Sequence, residues 1–262
     1  MRLVRFQIKN EEPQYGWALV DSDDTLIGPI EGTPFGEFRR LEANLPKDSI
    51  RLLAPVQPPK IICIGRNFVA HAREHDSKVP EVPLLFLKPP SSVIGPDDSI
   101  ILPPQSQQVE HEAELVAVIA KRGRWISPEE ALDYLLGYTV GNDITARDLQ
   151  RRDGQWTRAK GFDTFCPIGP WIETDFDPSD ALITCYVNGE MRQMASTRDM
   201  VFSVRQLIAY VSSVMTLEIG DILLTGTPAG VGPLLNGDLM ETTIEGIGTL
   251  RNSTMLESTH NY

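Results

Sequence analysis

Apolar residues fall along this chain in two spacings: alternation at every second position, and short unbroken runs bounded by glycine and proline. RLVRFQI alternates, and YGWALV and TLIGPI follow as further strand candidates, with the acidic DSDD between those two marking a turn. The opening residues therefore predict a small β-rich domain over 1–55. APVQPP at 54–59 reads as a linker, because proline holds the backbone extended and discourages helix. A larger domain over 60–262 follows it.

In that larger part IICIG at 61–65 is an apolar strand ending in glycine. NFVAHAREHD predicts a short helix with Asn67 as its cap, 77–83 is a loop, and PLLFLKPP is a strand between proline boundaries. VEHEAELVAVIA, from 109, reads as one strand. SPEEALDYLLGY predicts a helix, with Ser127 as N-cap, Pro128 at the first helical position and Glu130 at the third. YTVGNDI, PWIET, ALITCYVNGE and DILLTG predict strands, and SVRQLIAYVSSVM a second amphipathic helix. The chain has no internal repeat and no low-complexity tract. Many strands with few, irregularly placed helices predict an α+β fold rather than a doubly wound sheet.

Composition narrows the partners. A chain of 262 residues, 41% of them hydrophobic, can bury a substantial core. A net charge of −12 argues against nucleic acid, whose phosphates call for clustered Lys and Arg. No apolar run approaches the ~20 residues of a membrane helix, and MRLVRFQIKN lacks the pattern of a signal peptide. Cys63, Cys166 and Cys185 are odd in number and not closely spaced, so reduced thiols in a cytoplasmic protein are expected.

The chemistry concentrates in VEHEAELVAVIA. In an extended chain Glu110, Glu112 and Glu114 share one side, which continues as Val116 and Val118. Like charges at the end of an apolar face mean either a solvated strand or a bound cation. Oxygen ligands without nearby cysteine favour a hard cation, Mg²⁺ foremost, with Mn²⁺ or Ca²⁺ as alternatives. Asp143 lies just after an apolar strand, where a carboxylate can reach a ligand, while Arg147 and Asp148 read as a local ion pair capping the next turn. His71 and Glu74, three apart on a helix, bring a carboxylate within reach of an imidazole, as a water-activating base requires. The alternative is a solvent-facing HAREH helix in which His75 competes for Glu74. TGTPAGVG offers glycine backbone N–H groups that could hold a carboxylate, or is a tight turn; lacking G-K-[ST], it is no P-loop. By residue type alone Lys160 is a surface charge, His111 a buried structural histidine on the opposite strand face or one near the pocket edge, and His260 an inert tail residue.

GRNFVAHAREH, PLLFLKPPSSVIGP, VEHEAELVAVIAKRGR, GYTVGNDITARDLQ, AKGFDTFCPIGPW and GDILLTGTPAGVG occur in this order over about residues 60–250. Together they resemble the fumarylacetoacetate hydrolase family. The likeness is to its short bacterial-type members, in the acylpyruvase, oxaloacetate decarboxylase and 2-hydroxyhepta-2,4-diene-1,7-dioate isomerase group. The resemblance implies a mixed β-sandwich roll as the catalytic domain. It also implies a divalent metal, usually Mg²⁺, held by Glu112, Glu114 and Asp143. Glu110 is outside that set, as an acceptor behind it or a solvated neighbour. By the same resemblance His71 with Glu74 is the base, on a segment that can order over substrate, and His75 is a surface residue. Lys160 moves into the pocket as a stabiliser of negative charge, Gln150 becomes a pocket amide, and Thr227 a substrate contact; Arg66 and Lys88 serve substrate or structural ion pairing. The implied activity is hydrolysis of a C–C bond in a 2,4-dioxo acid such as an acylpyruvate. Oxaloacetate decarboxylation and isomerisation of a 2-hydroxy-2,4-diene-1,7-dioate share its enolate. A small 2-oxo acid and a second copy in a homodimer are the implied partners. A non-catalytic metal scaffold would lack the base, whereas His71, Glu74 and Lys160 are all present.

Overall fold

The strand pattern resolves into three sheets of 13, 5 and 3 strands among the described residues of the computed structural model. It describes residues 1–258 except 10, 22, 23, 75 and 77, so the centre of the DSDD turn, the start of the 77–83 loop, His75 and His260 lie outside the described residues. The main path of the large sheet begins with Phe38–Arg40, Thr25–Gly32, Gln14–Val20 and Arg2–Gln7. It continues through Cys166–Glu173, Leu135–Asn142, Ala113–Ile119, Ile222–Leu224, Ile61–Gly65 and Leu84–Lys88. Neighbours on this path are antiparallel except Ile222–Leu224 against Ile61–Gly65, which makes the sheet mixed. The first strands join it edge to edge, with Arg2 opposite Glu173 and Leu3 opposite Ile172.

Ala113–Ile119 is buried on both faces, which is why it reads as a continuous apolar run rather than an alternation. Leu115 and Ala117 face a core shared with Ile183, Ile244 and Leu250 of the five-stranded sheet. Val116 and Val118 face a second core with Cys63, Ile168 and Leu224. The two-layer, sheet-dominated roll with few helices agrees with the α+β expectation.

VEHEAELVAVIA is not one strand. Val109–His111 belongs to the three-stranded sheet, against Thr145–Ala146 and Gly232–Pro233, whereas Ala113–Ile119 belongs to the large one. Glu112 is the residue at which the chain changes sheets. Its N–H finds no ladder partner and donates instead to Asn142 Oδ1 at 2.8 Å, while its carbonyl accepts from Asp143 N at 2.9 Å. The Asn142 amide continues to Thr242 Oγ1 of the five-stranded sheet at 2.6 Å. One buried side chain thus ties the change of sheet to the sandwich and sets Glu112 beside Asp143.

Three local expectations give way to tertiary pairing. Ser127 does cap its turn, accepting from Glu130 N at 3.3 Å and donating to Glu130 Oε2 at 3.0 Å. Only a 3₁₀ turn, Ala131–Tyr134, follows, because Leu135–Asn142 is drawn out to ladder against Ala113–Ile119. ALITCYVNGE is a hairpin rather than a strand: Asn188 and Gly189 turn at φ of 53° and 78°, and Leu182–Val187 pairs with Glu190–Ser196. Asn67 does not cap the helix Val69–Glu74; its amide bonds Phe202 N and O and Thr225 O at 2.8, 3.0 and 2.8 Å. The second amphipathic helix, Val204–Val214, forms as predicted behind a Ser203–Gln206 capping box. Among the described residues no helix is long and apolar enough to cross a membrane.

Asn142→Ala should strip a buried N–H and a buried hydroxyl of their partner together. Unfolding in urea should show a stability loss of about 2–4 kcal/mol, seen as a lower midpoint at unchanged slope.

Candidate active site

Glu112, Glu114 and Asp143 bring carboxylate oxygens within 4.8 Å of one another. All three are buried, at 4%, 1% and 1% exposure. Cations from three separate elements surround them. Lys88, on the edge strand, donates to Asp143 Oδ1 at 2.6 Å and to the Ile144 carbonyl at 3.2 Å. Lys160, ending a one-turn helix, bridges Glu112 Oε2 at 2.7 Å and Asp143 Oδ2 at 2.6 Å. Arg147 pairs with Glu112 and, at 2.7 Å, with Glu110 Oε2.

These neighbours divide the carboxyls. Burial would raise that of Glu112, but Lys160 and Arg147 overcome it and hold the group well below the usual range. Burial would likewise discharge Lys160, yet Asp143 and Glu112 keep it an ammonium. Glu114 differs. Burial, then the charges of Asp143 and Glu112, push its carboxyl well above the usual range, against a hydrogen bond from Gly226 N at 2.6 Å and the charge of Lys160. Among the described residues it has no ion-pair partner. A buried carboxylate without its own cation, beside two more in an all-oxygen set, fits a hard divalent ion.

His71 lies on the helix Val69–Glu74 with Nδ1 3.4 Å from Glu74 Oε2. The Glu74 carboxylate is itself held by Gly230 N, at 3.1 and 3.3 Å from its two oxygens. The glycine-rich loop therefore does hold carboxylates, and both belong to this chain. His71, Lys160 and the three carboxylates open on one cleft of about 210 Å³, together with Arg66, Gln150 and Thr227.

Several single-residue expectations change. Lys160, a surface charge by residue type alone, is 2% exposed and lines the cleft, where the family resemblance put it. Lys88 does not line the cleft; it is a structural cation under Asp143. Of the two alternatives for Glu110, the solvated neighbour falls away: it is buried and accepts from Gln108 and from Arg147, which also pairs with Glu112, so it stands as an acceptor behind the set. Arg147 does not pair with Asp148, which accepts from Ser106 Oγ at 2.6 Å and Gln107 N at 3.0 Å. Arg147 also donates to Gln150 Oε1 at 2.7 Å. Its central place was missed, although the sequence signal, an arginine four residues after Asp143, was present. Trp156, edge-on to Phe86 at 5.2 Å and under Arg66 at 6.0 Å, was missed as a cleft wall. Gln193, from the opposite sheet, carried no signal at all. His111 is the buried structural histidine expected, with Nδ1 2.9 Å from Gln193 Oε1. The three cysteines are free and buried, and burial first, with nearby charges, pushes the Cys63 and Cys166 thiols up, the latter to about 12.

Comparison with known proteins adds the following. Residues 60–255 match the family described as fumarylacetoacetate (FAA) hydrolase C-terminal, and residues 1–55 match Rv2993c-like, N-terminal. The chain is 45% identical over 247 residues to protein Rv2993c of Mycobacterium tuberculosis, covering 90% of this chain and 93% of that protein. It is 42% identical over 284 residues to the mitochondrial oxaloacetate tautomerase Fahd2a of Rattus norvegicus, covering 96% and 91%. The crystal structure of 5-carboxymethyl-2-hydroxymuconate delta-isomerase from Mycobacterium smegmatis superposes with a TM-score of 0.91 at 43% identity, covering 98% of this chain and 100% of that one. With three-quarters of its length matched to the family and relatives aligned nearly end to end, this chain belongs to the fumarylacetoacetate hydrolase family.

Proposed function

We propose that this chain is an enzyme that forms and reprotonates the enolate of a small 2-oxo acid, with Mg²⁺ as its cofactor at Glu112, Glu114 and Asp143. One observation carries the reading: a buried three-carboxylate cluster and a carboxylate-oriented histidine open on the same cleft. Bound there, a divalent cation supplies Lewis-acid polarisation of a 2-oxo carboxylate. The other roles belong to the chain itself. Gly230 N holds Glu74, Glu74 holds Nδ1 of His71, and the ring so oriented takes a proton at Nε2. Lys160 has three N–H groups; Glu112 and Asp143 take two, leaving one for an oxygen on which negative charge develops. Arg147 occupies Gln150 Oε1, so the amide turns its N–H₂ to substrate.

Two outcomes use these groups. If His71 takes its proton from water, the hydroxide attacks C4 of a 2,4-dioxo acid, the C3–C4 bond breaks, and the reaction is the acylpyruvate-type hydrolysis implied by the motifs. If His71 instead moves a proton between the enol and carbon, delivery to C3 is a tautomerisation of oxaloacetate, and delivery to C5 of the conjugated dienol is an isomerisation of a 2-hydroxy-2,4-diene-1,7-dioate. The relatives named oxaloacetate tautomerase and delta-isomerase favour the second outcome. Decarboxylation of oxaloacetate shares the enolate and needs no base.

A substrate panel separates these outcomes. His71→Ala should lower hydrolysis or proton transfer by roughly 10²–10⁴-fold while depressing oxaloacetate decarboxylation much less. Equal losses across the panel would remove His71 as the base. The metal reading is checked by thermal unfolding. Mg²⁺ at about 100 times its dissociation constant should stabilise the wild type by about 2.7 kcal/mol, reversibly with EDTA. Glu114→Gln should raise metal-free stability near neutral pH, because burial of Glu114 demands uptake of a proton that glutamine does not need, and should lose the Mg²⁺ response. A wild type indifferent to divalent ions would defeat this reading.

A further inference from the structure

The Gln193 amide, on the strand Glu190–Ser196 and 0% exposed, makes four hydrogen bonds. Two of its partners have no choice of role. The Ala113 N–H can only donate, and it lies 3.1 Å from Oε1; the Pro228 carbonyl can only accept, and it lies 2.8 Å from Nε2. Backbone at both ends therefore fixes which way the amide faces. The remaining partners must follow. Thr227 Oγ1, 2.8 Å from Nε2, has to accept, and His111 Nδ1, 2.9 Å from Oε1, has to carry a hydrogen.

A hydroxyl that accepts from Gln193 keeps its own proton for another partner. Among the described residues no protein group receives it, and Thr227 lines the cleft that contains Glu112 and Glu114. We propose that Gln193 is a positioning residue that sets the polarity of Thr227, so that its hydroxyl meets the ligand only as a donor. The cleft then recognises a bare anionic oxygen at this point, a carboxylate or enolate oxygen, and disfavours a group offering a hydrogen of its own. That the ligand is a 2-oxo acid rests on the function proposed above; the direction of the hydroxyl does not. The same logic places the hydrogen of neutral His111 on Nδ1 and leaves Nε2 as a bare lone pair, which has no hydrogen-bond partner among the described residues.

Oxalate is a suitable probe, being a small planar dianion that presents only acceptor oxygens. Calorimetric titration of oxalate in the presence of Mg²⁺ should find Thr227→Val weaker by roughly ten- to hundredfold, with Thr227→Ser close to the wild type. In Gln193→Glu the new carboxylate takes the Thr227 proton, and oxalate should weaken by a similar factor. Combined with Thr227→Val it should weaken no further, because both changes remove one interaction. Independently of metal and activity, ¹⁵N NMR of the wild type should find His111 as the Nδ1–H tautomer. Losses that multiply in the double variant, a Thr227→Val that binds like wild type, or an Nε2–H tautomer would each overturn the proposal. If Gln193→Glu does not fold, the Val and Ser contrast at 227 and the tautomer decide it. Failure of the wild type to bind oxalate with Mg²⁺ counts against the metal reading alone, since the His111 tautomer still reports on Gln193.

Discussion

Burying three carboxylates within 4.8 Å of each other is the constraint around which this molecule is organised. Each would cost several kcal/mol to desolvate unpaired, and side by side they repel. Lys88, Lys160 and Arg147 offset that cost, and they reach the cluster from an edge strand and two short helices. Counting Glu110, the region buries four carboxylates against three cations, and among the described residues Glu114 is the one of the four without an ion pair. A divalent ion would turn this small negative excess into a positive one, which suits an anionic ligand.

The glycine-rich loop joins the carboxylate cluster to the histidine. Gly226 N donates to Glu114 and Gly230 N to Glu74, four residues apart on one loop. Both glycines have positive φ, 99° and 97°. A Cβ would lie 2.7 Å from Asn67 Cβ at the first and 2.1 Å from the Arg192 carbonyl at the second. The loop can approach both acids only because it has no side chains there. Asn67 and Gln193, whose amides cross-link distant segments, lie directly behind it.

Much of this was legible in the chain. Glu112 and Glu114 are two apart and His71 and Glu74 three apart, spacings that chain geometry alone brings close, whereas Asp143, 29 positions beyond Glu114, joined the set only through the family resemblance. The helix beginning at Ser203 carried its own capping box. The Asn-Gly hairpin at 188–189 was equally readable in principle, since that dipeptide tolerates the positive φ both residues adopt. The 127–138 segment misled because its cap and its periodicity were real, but a strand buried on both faces needed a neighbour more.

By itself, then, the sequence determined the fold class, the short-range elements with their own caps, and the carboxylate and histidine patterns that one strand or one turn can present. Tertiary structure alone decided the break at Glu112, the burial of Lys160, the separation of Glu110 onto Arg147 and the pinning of Thr227 by Gln193. Those features join residues 17 to 48 positions apart within the cluster, and 100 apart where Asn142 bonds Thr242 of the five-stranded sheet. The physical reason is that a charge or an amide takes its role from what burial sets beside it, and residue type and spacing carry no record of neighbours that only sheet packing brings together.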